Sequence, residues 1–164
     1  MKVEVRLTGV DNVLNMLKQL PPEVVSKRGG PVRRALRKGA VVIRDQERAN
    51  LKAVTANATE EGRRYSTGLL SDNLVIRRGR PPAGVKGEAY IVTPKRGVFY
   101  PERNQRVSII KAGSLLEYGS SQQPAEPWAR PAVEQKGRQA IDVVTTELVK
   151  DIDRISKRRL AKGR

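Results

Sequence analysis

A short apolar run, Leu115-Leu116, is connected to a long amphipathic pattern by a segment that contains three prolines and the only tryptophan of the chain, Trp128. Proline lacks an N–H, so Pro131 suits the first turn of a helix, where that N–H would be unpaired anyway. Pro124 and Pro127 keep the preceding chain extended. We call residues 115–134 the joint, and the sequence predicts a defined connection there rather than a generic loop.

A long helix is predicted to follow the joint. Apolar and small residues recur at steps of three and four from Pro131 onward, which is typical of one buried helix face: Val133, Gly137, Ala140, Ile141, Val144, Leu148, Ile152 and Ile155. A helix from Pro131 to about Lys157 would be roughly 40 Å long. The basic residues after it predict a flexible tail over 158–164, so we expect one domain over 1–157 and that tail.

The first half of the chain predicts further elements. Alternation over residues 2–8 indicates a half-buried strand, and helical spacing over 10–17 indicates a short helix that Pro21-Pro22 ends. The stretch from Pro31 to about Leu51 predicts an amphipathic, strongly basic helix. A polar surface loop is expected from Lys52 to Tyr65.

Two runs of strand-forming residues, 75–78 and 88–93, predict a hairpin. The connection between them, residues 79–87, is long and rich in proline and glycine, so we expect it to protrude. The resulting fold class is α+β, with a small, mainly antiparallel sheet packed against two or three helices, including the long C-terminal one.

The chain is strongly basic. It carries 33 Lys and Arg against 17 Asp and Glu, a formal net charge of +16. Such a charge attracts polyanions, although it also serves solubility. The residues that could contact DNA lie in the two loops 79–87 and 94–107, and they are Arg80, Lys86, Lys95, Arg96, Arg103 and Arg106.

Two aromatic residues accompany these cations. Phe99 and Tyr100 could stack on bases, but no nucleic-acid-binding motif surrounds them. We therefore favour the interpretation that they hold their loop against the protein body or a neighbouring subunit.

The residue types exclude most familiar enzyme chemistry. The chain has no Cys and no His, so thiolate nucleophiles, disulfides and imidazole or thiolate metal sites are absent. Glu117 and Glu134 flank the joint, but a single Glu beside Tyr118 and Arg130 is more typical of an ion-paired structural group than of a general base. Asp151 and Asp153 would point to different sides of a helix. We expect no enzyme, no cofactor and no metal.

The expected compartment follows from the apolar runs of the sequence. The first residues contain no apolar signal core, and the longest strongly apolar run, Ala40–Ile43, is far shorter than a membrane span. We expect a soluble product that is made in the cytoplasm of its host cell and does not enter a membrane.

Several segments, in their order and spacing, resemble the tail-component family of long-tailed bacteriophages, also described as tail completion or head-tail joining proteins. They cover most of the chain and are 9–11 with Leu14 and Leu17, 35–36 with 39–40, 66–70, 116–120 and 124–132. The last two are the most specific. Trp128-Ala129 stands where the family usually has Phe and an aliphatic residue, and loop 79–87 is not part of its pattern.

The resemblance implies a virion protein of the neck or tail end that assembles as a ring, completes the tail and helps to join it to the head. Its partners would be copies of itself and other neck, connector and tail proteins, with nonspecific contact to genome DNA in the lumen. A tail terminator that caps the tail tube is the neighbouring alternative. A nonspecific nucleic-acid-binding protein is the alternative from another class.

The candidate interface or motif residues lie in the joint and in the second loop. They are Glu117, Tyr118, Gly119, Pro127, Trp128, Arg130, Pro131, Phe99 and Tyr100. Trp128 is open to two interpretations, as an anchor of a subunit interface or as core packing under the long helix.

Overall fold

The computed structural model of the chain describes residues 30–57, 68–81, 83–84, 87–99 and 106–162. Its helices and strands, in chain order, are α1 (Gly30–Asn57), α2 (Leu69–Asp72), β1 (Leu74–Gly79), β2 (Ala89–Pro94), β3 (Val98–Phe99), β4 (Val107–Ser108), α3 (Ile109–Tyr118) and α4 (Ala129–Lys162). The fold is α+β with small antiparallel sheets and a long C-terminal helix, which confirms the predicted fold class.

Helices α1 and α4 pack against each other in antiparallel directions. The start of α1 lies beside the second half of α4, where Arg34 Nη2 lies 3.1 Å from Asp151 Oδ2. The end of α1 meets the start of α4, where Asn50 Nδ2 donates to the Trp128 carbonyl at 2.9 Å. Between these points Gly39 and Ala140 are buried, so the two backbones approach closely.

The predicted hairpin is present. Strands β1 and β2 are antiparallel, with Leu74 opposite Pro94 and Gly79 opposite Ala89. Glu88, just before β2, accepts two 2.6 Å hydrogen bonds from Arg78. It also accepts one of 3.2 Å from Arg33. Glu88 therefore ties the hairpin to α1, and the bonds from Arg78 first, with those from Arg33, hold its carboxyl pKa below the usual value.

A second, smaller hairpin leads into α3. Strands β3 and β4 pair Val98 with Ser108 and Phe99 with Val107. The Ile109 N–H donates to the Gly97 carbonyl at 3.1 Å, which fixes the start of α3 against the hairpin. The basic loop predicted over 94–107 therefore contains short strands on both sides of residues 100–105.

The hydrophobic core lies where α1, β1 and the joint meet. Leu51, Leu74 and Trp128 are buried there in one cluster, and Leu70 and Leu116 pack against it. Burying a side chain of this size contributes about 1.5–3 kcal/mol. The core therefore fixes the position of the joint relative to α1 and β1.

Two predicted boundaries were wrong. Helix α1 continues to Asn57, although a loop was expected from Lys52, because Leu51 is buried in the core and the residues after it extend the same helix. Helix α4 continues to Lys162, although its end was expected at about Lys157. Arg, Leu, Ala and Lys are strong helix formers, and cations suit a helix C-terminus.

Helix α2 falls where only a lead into β1 was expected, and α3 was not predicted as a helix. The strand over 2–8 and the helix over 10–17 lie outside the described residues. No helix in the described ranges combines the length and the apolar character that crossing a membrane requires.

The contact between α1 and α4 predicts the effect of a single methyl group. A Cβ at Gly39 would lie 2.6 Å from Val144 Cγ2 and 3.0 Å from the Ala140 carbonyl oxygen. We expect Gly39→Ala to lower the free energy of unfolding by about 1–3 kcal/mol, as measured in urea, because the helices must separate.

Gly30→Ala is the matched control. A Cβ at Gly30 would have no atom within 4 Å, so the better helix propensity of Ala should leave stability unchanged or raise it by up to about 1 kcal/mol. Equal stability of the two variants would contradict the close packing at Gly39.

Candidate functional site

The joint is built around the carboxylate of Glu117, in the last turn of α3. Its Oε2 accepts hydrogen bonds from the backbone N–H groups of Trp128, at 2.7 Å, and Ala129, at 2.8 Å. Its Oε1 accepts from the Arg130 N–H at 3.3 Å. The next residue, Pro131, has no N–H. One side chain thus satisfies the backbone donors that the first turn of a helix leaves unpaired.

The position of Glu117 is also favourable electrostatically. A negative charge at a helix N-terminus interacts well with the partial positive charge of the helix dipole. Burial alone would raise the pKa of Glu117, but the hydrogen bonds from Ala129, Trp128 and Arg130 outweigh it, so the pKa lies below its usual value. The group is therefore ionised at neutral pH.

Arg130 completes the joint. Its Nε donates to Glu117 Oε1 at 2.9 Å, and its Nη2 donates to the Glu117 carbonyl at 3.2 Å. Its guanidinium also lies 5.4 Å from the centre of the Tyr118 ring, within the range of a cation–π interaction. The predicted ion-paired role of Glu117 beside Tyr118 and Arg130 is confirmed.

Trp128 is part of the core and not a surface anchor. Only 5% of it is exposed. Its indole Nε1–H donates to the Gly113 carbonyl at 3.1 Å, so the polar end of the ring is satisfied inside the protein. Of the two interpretations left open by the sequence, the structure supports core packing.

Two glycines allow these contacts. Gly119 ends α3 with φ of +78°, and a Cβ there would lie 2.9 Å from the Ala125 nitrogen. At Gly113, a Cβ would lie 3.1 Å from Leu70 and 3.5 Å from the Trp128 ring. The chain can therefore reverse after α3 and the indole can lie against it.

A second buried carboxyl, Glu47, comes from α1. It is 5% exposed, and its Oε2 has no hydrogen-bond partner within the described part of the chain. Burial, with the negative charge of Glu117 as a smaller cause, raises the pKa of Glu47 to about 7. Two buried carboxyl groups thus interact electrostatically at the joint. Glu117 is ionised, whereas Glu47 binds a proton near neutral pH.

The candidate interface residues separate by exposure. Tyr118 and Pro127 are exposed, whereas Glu117 and Trp128 are buried. The remaining described candidates, Gly119, Arg130, Pro131 and Phe99, are half-buried. Tyr100 lies outside the described residues. Most of the joint therefore acts within the subunit, and Tyr118 and Pro127 are presented at its surface.

Four of the cations that could contact DNA are exposed: Arg80, Lys95, Arg96 and Arg106. Arg96 and Arg106 line one open groove together with Val98 and Ile110. Arg80 follows the other hairpin. Lys86 and Arg103 lie outside the described residues.

Sequence reasoning missed the partners of Trp128. Nothing in the residue type of Gly113 signals that its carbonyl accepts from the Trp128 indole. Nor does the residue type of Asn50 signal that its side chain donates to the Trp128 carbonyl. Glu47 had a visible signal, because it falls on the side of α1 that carries Ala35, Leu36 and Ile43.

Neither a metal cluster nor a relative adds to this site. No group of three or more His, Cys, Asp or Glu side chains that could hold a metal ion occurs within the described ranges. Comparison of the chain with protein-family models, curated proteins and solved structures finds no match. The inference of function therefore depends on the residues and their geometry.

Replacing the central carboxylate tests the joint. Glu117→Gln keeps the size of the side chain but places an amide NH₂ against backbone N–H donors and removes the charge at the start of α4. We expect the free energy of unfolding to fall by about 2–4 kcal/mol. Glu134→Gln, at an exposed position of α4, should change it by less than about 0.5 kcal/mol. Similar losses in the two variants, measured in urea, would refute the role of Glu117.

Glu47 predicts a distinct pH dependence. Its pKa is raised in the folded state, so the cost of ionising it in the folded protein is absent below its ordinary value of 4.5, grows as pH rises from 4.5 to about 7, and is constant above that. We expect Glu47→Gln to match the original protein near pH 4.5 and to be more stable by on the order of 2–3 kcal/mol at pH 8.

The measurement is the free energy of unfolding as a function of pH, with Glu134→Gln as the exposed control. A difference between Glu47→Gln and the original protein that stays constant from pH 4.5 to 8 would show that Glu47 does not titrate as described.

Proposed function

We propose that this chain is a structural virion protein of a bacteriophage neck or tail end, which assembles as a ring, completes the tail and helps to join it to the head. The observation that carries the proposal is the joint. The two most specific segments of the family resemblance, 116–120 and 124–132, lie against each other in the fold. Their distinctive residues have defined contacts, which supports reading them as one motif.

The contacts within this motif are interdependent. Glu117 caps α4, Gly119 permits the reversal, and Arg130 returns to Glu117. A subunit that must present several surfaces at fixed angles benefits from such a joint, because it sets the direction of α4 relative to α3 and the small hairpin. This property suits a component of an ordered assembly.

Ring assembly is consistent with the distribution of surfaces. A ring repeats one heterologous contact, in which different patches of neighbouring subunits meet, until it closes. The two hairpins provide candidate projecting elements, and Tyr118 and Pro127 are exposed beside the joint. The subunit contact in this proposal uses exposed residues and leaves Trp128 in the core.

A basic surface supports nonspecific DNA contact as a second function. Arg96 and Arg106 line one groove whose described lining residues include no carboxylate. In the virion, such a surface would face the genome in the lumen and would contact phosphates without reading bases. Outside a virion, the same groups would make a nonspecific nucleic-acid-binding protein.

An early stop codon in this gene, introduced in its source phage or prophage, tests the proposed function. We expect electron microscopy of the induced lysate to show filled heads separate from tails. Tails of abnormal length would instead indicate a terminator. Complementation with the intact gene should restore joined particles. Normal infectious particles without the protein would refute the structural role, and steep salt dependence of duplex binding would then favour the nucleic-acid-binding alternative.

A further inference from the structure

Helix α3 carries apolar side chains that remain exposed in the part of the chain that the structure describes. Ile110, Leu115 and Tyr118 are 39%, 38% and 71% exposed. Ser114 lies among them, and its hydroxyl donates to the Ile110 carbonyl at 3.1 Å, so it is already satisfied within the helix. The opposite side of α3 is buried through Ile109, Gly113 and Glu117. We call Ile110, Ser114, Leu115 and Tyr118 the α3 face.

The small hairpin extends this surface. Val98 of β3 is 42% exposed and lines the same groove as Ile110. From Ile110 to Tyr118 the helix rises about 12 Å. The α3 face and Val98 therefore form an apolar strip about two helical turns long, with a groove at the end near the hairpin.

Four described cations lie on or next to this strip in the chain. Lys95, Arg96, Arg106 and Lys111 are exposed. None of these four makes an ion pair with another described residue, whereas Glu117, the carboxylate on α3, is buried and bonded to Arg130. The surface combines uncovered apolar side chains with unneutralised cations.

This combination favours one class of occupant. A DNA backbone would neutralise the cations but leave Leu115 and Ile110 in water. An identical α3 face from a second copy would bring like charges together, which is unfavourable. A polypeptide with apolar residues between Asp or Glu residues would bury the strip and pair with its cationic border, as amphipathic helices do in grooves.

We propose that the α3 face, together with Val98, Arg96 and Arg106, is a docking site for an acidic amphipathic segment of a different protein. The site does not require the ring, so it can exist whether or not the neck function is correct. It shares Arg96 and Arg106 with the proposed DNA contact and Tyr118 with the proposed subunit surface, so a bound segment would compete with both. Apolar contacts supply affinity, and the arginines select against neutral and basic partners.

Binding of designed peptides to the full-length protein tests this site. Three fluorescein-labelled peptides, each about four helical turns long, carry the same apolar residues at helical spacing and differ only in having Glu, Gln or Lys at the remaining positions. Fluorescence anisotropy should show the Glu peptide binding at least about tenfold more tightly than the Gln peptide, and the Lys peptide more weakly still.

Two pairs of substitutions separate the apolar and charged contributions. Leu115→Ser with Tyr118→Ser should weaken binding of the Glu peptide by about tenfold or more. Arg96→Glu with Arg106→Glu should reverse the preference towards the Lys peptide. The controls are Ile91→Ser, at a 48% exposed position on β2, and Arg138→Glu, at an exposed position on α4. Both should leave binding unchanged, and circular dichroism should confirm that all variants fold.

Three results would overturn the proposal. Equal affinity of the Glu peptide and the Gln peptide would remove the selection by charge. Binding that persists after the changes at Leu115 and Tyr118 would place the peptide elsewhere. Self-association that is abolished by those changes, without binding of any peptide, would assign the α3 face to a second copy. None of these results depends on the phenotype of the stop codon.

Discussion

The closing of the first turn of α4 by Glu117 is the interaction on which the rest of the described structure depends. A helix N-terminus that starts inside a protein leaves several N–H groups without partners, and each such group costs about 1–3 kcal/mol when buried. Here a carboxylate from a preceding helix accepts from Trp128, Ala129 and Arg130, and Pro131 removes the fourth donor. The long helix can therefore begin against the core, and not in solvent.

The buried charge of Glu117 also disfavours the ionised form of a neighbouring carboxyl group. The buried charge of Glu117 lies near a second carboxyl, Glu47, whose Oε2 is unpartnered among the described residues. The two differ because Glu117 has backbone and guanidinium donors, whereas Glu47 is buried with one oxygen that no described donor reaches. The same buried region therefore contains one carboxyl whose charge is stabilised and another for which the neutral form is favoured.

The sequence predicted the elements whose signal is local. Hydrophobic periodicity predicted both long helices, two runs of strand-forming residues predicted the first hairpin, and the proline spacing predicted the start of α4 to within two residues. It predicted an ion-paired Glu117 because Tyr118 and Arg130 belong to the same distinctive segment of the sequence. It did not separate core from interface for Trp128, since that depends on Asn50, Leu51 and Leu74, which come from distant parts of the chain. The ends of α1 and α4 were missed because polar, basic helix turns resemble loops in composition.

The length of α4 makes its first turn a sensitive pivot. The helix has 34 residues, so it is about 51 Å long. A tilt of about 5° at Ala129 would move its far end by roughly 4 Å over that length, further than any hydrogen bond in the joint could stretch. The contacts of Arg34 and Lys38 with Asp151 and Glu147 resist such a movement beyond the middle of the helix. The contacts of Glu117 thus set the direction of α4 at its first turn, and the ion pairs with α1 limit the tilt of the helix further along its length.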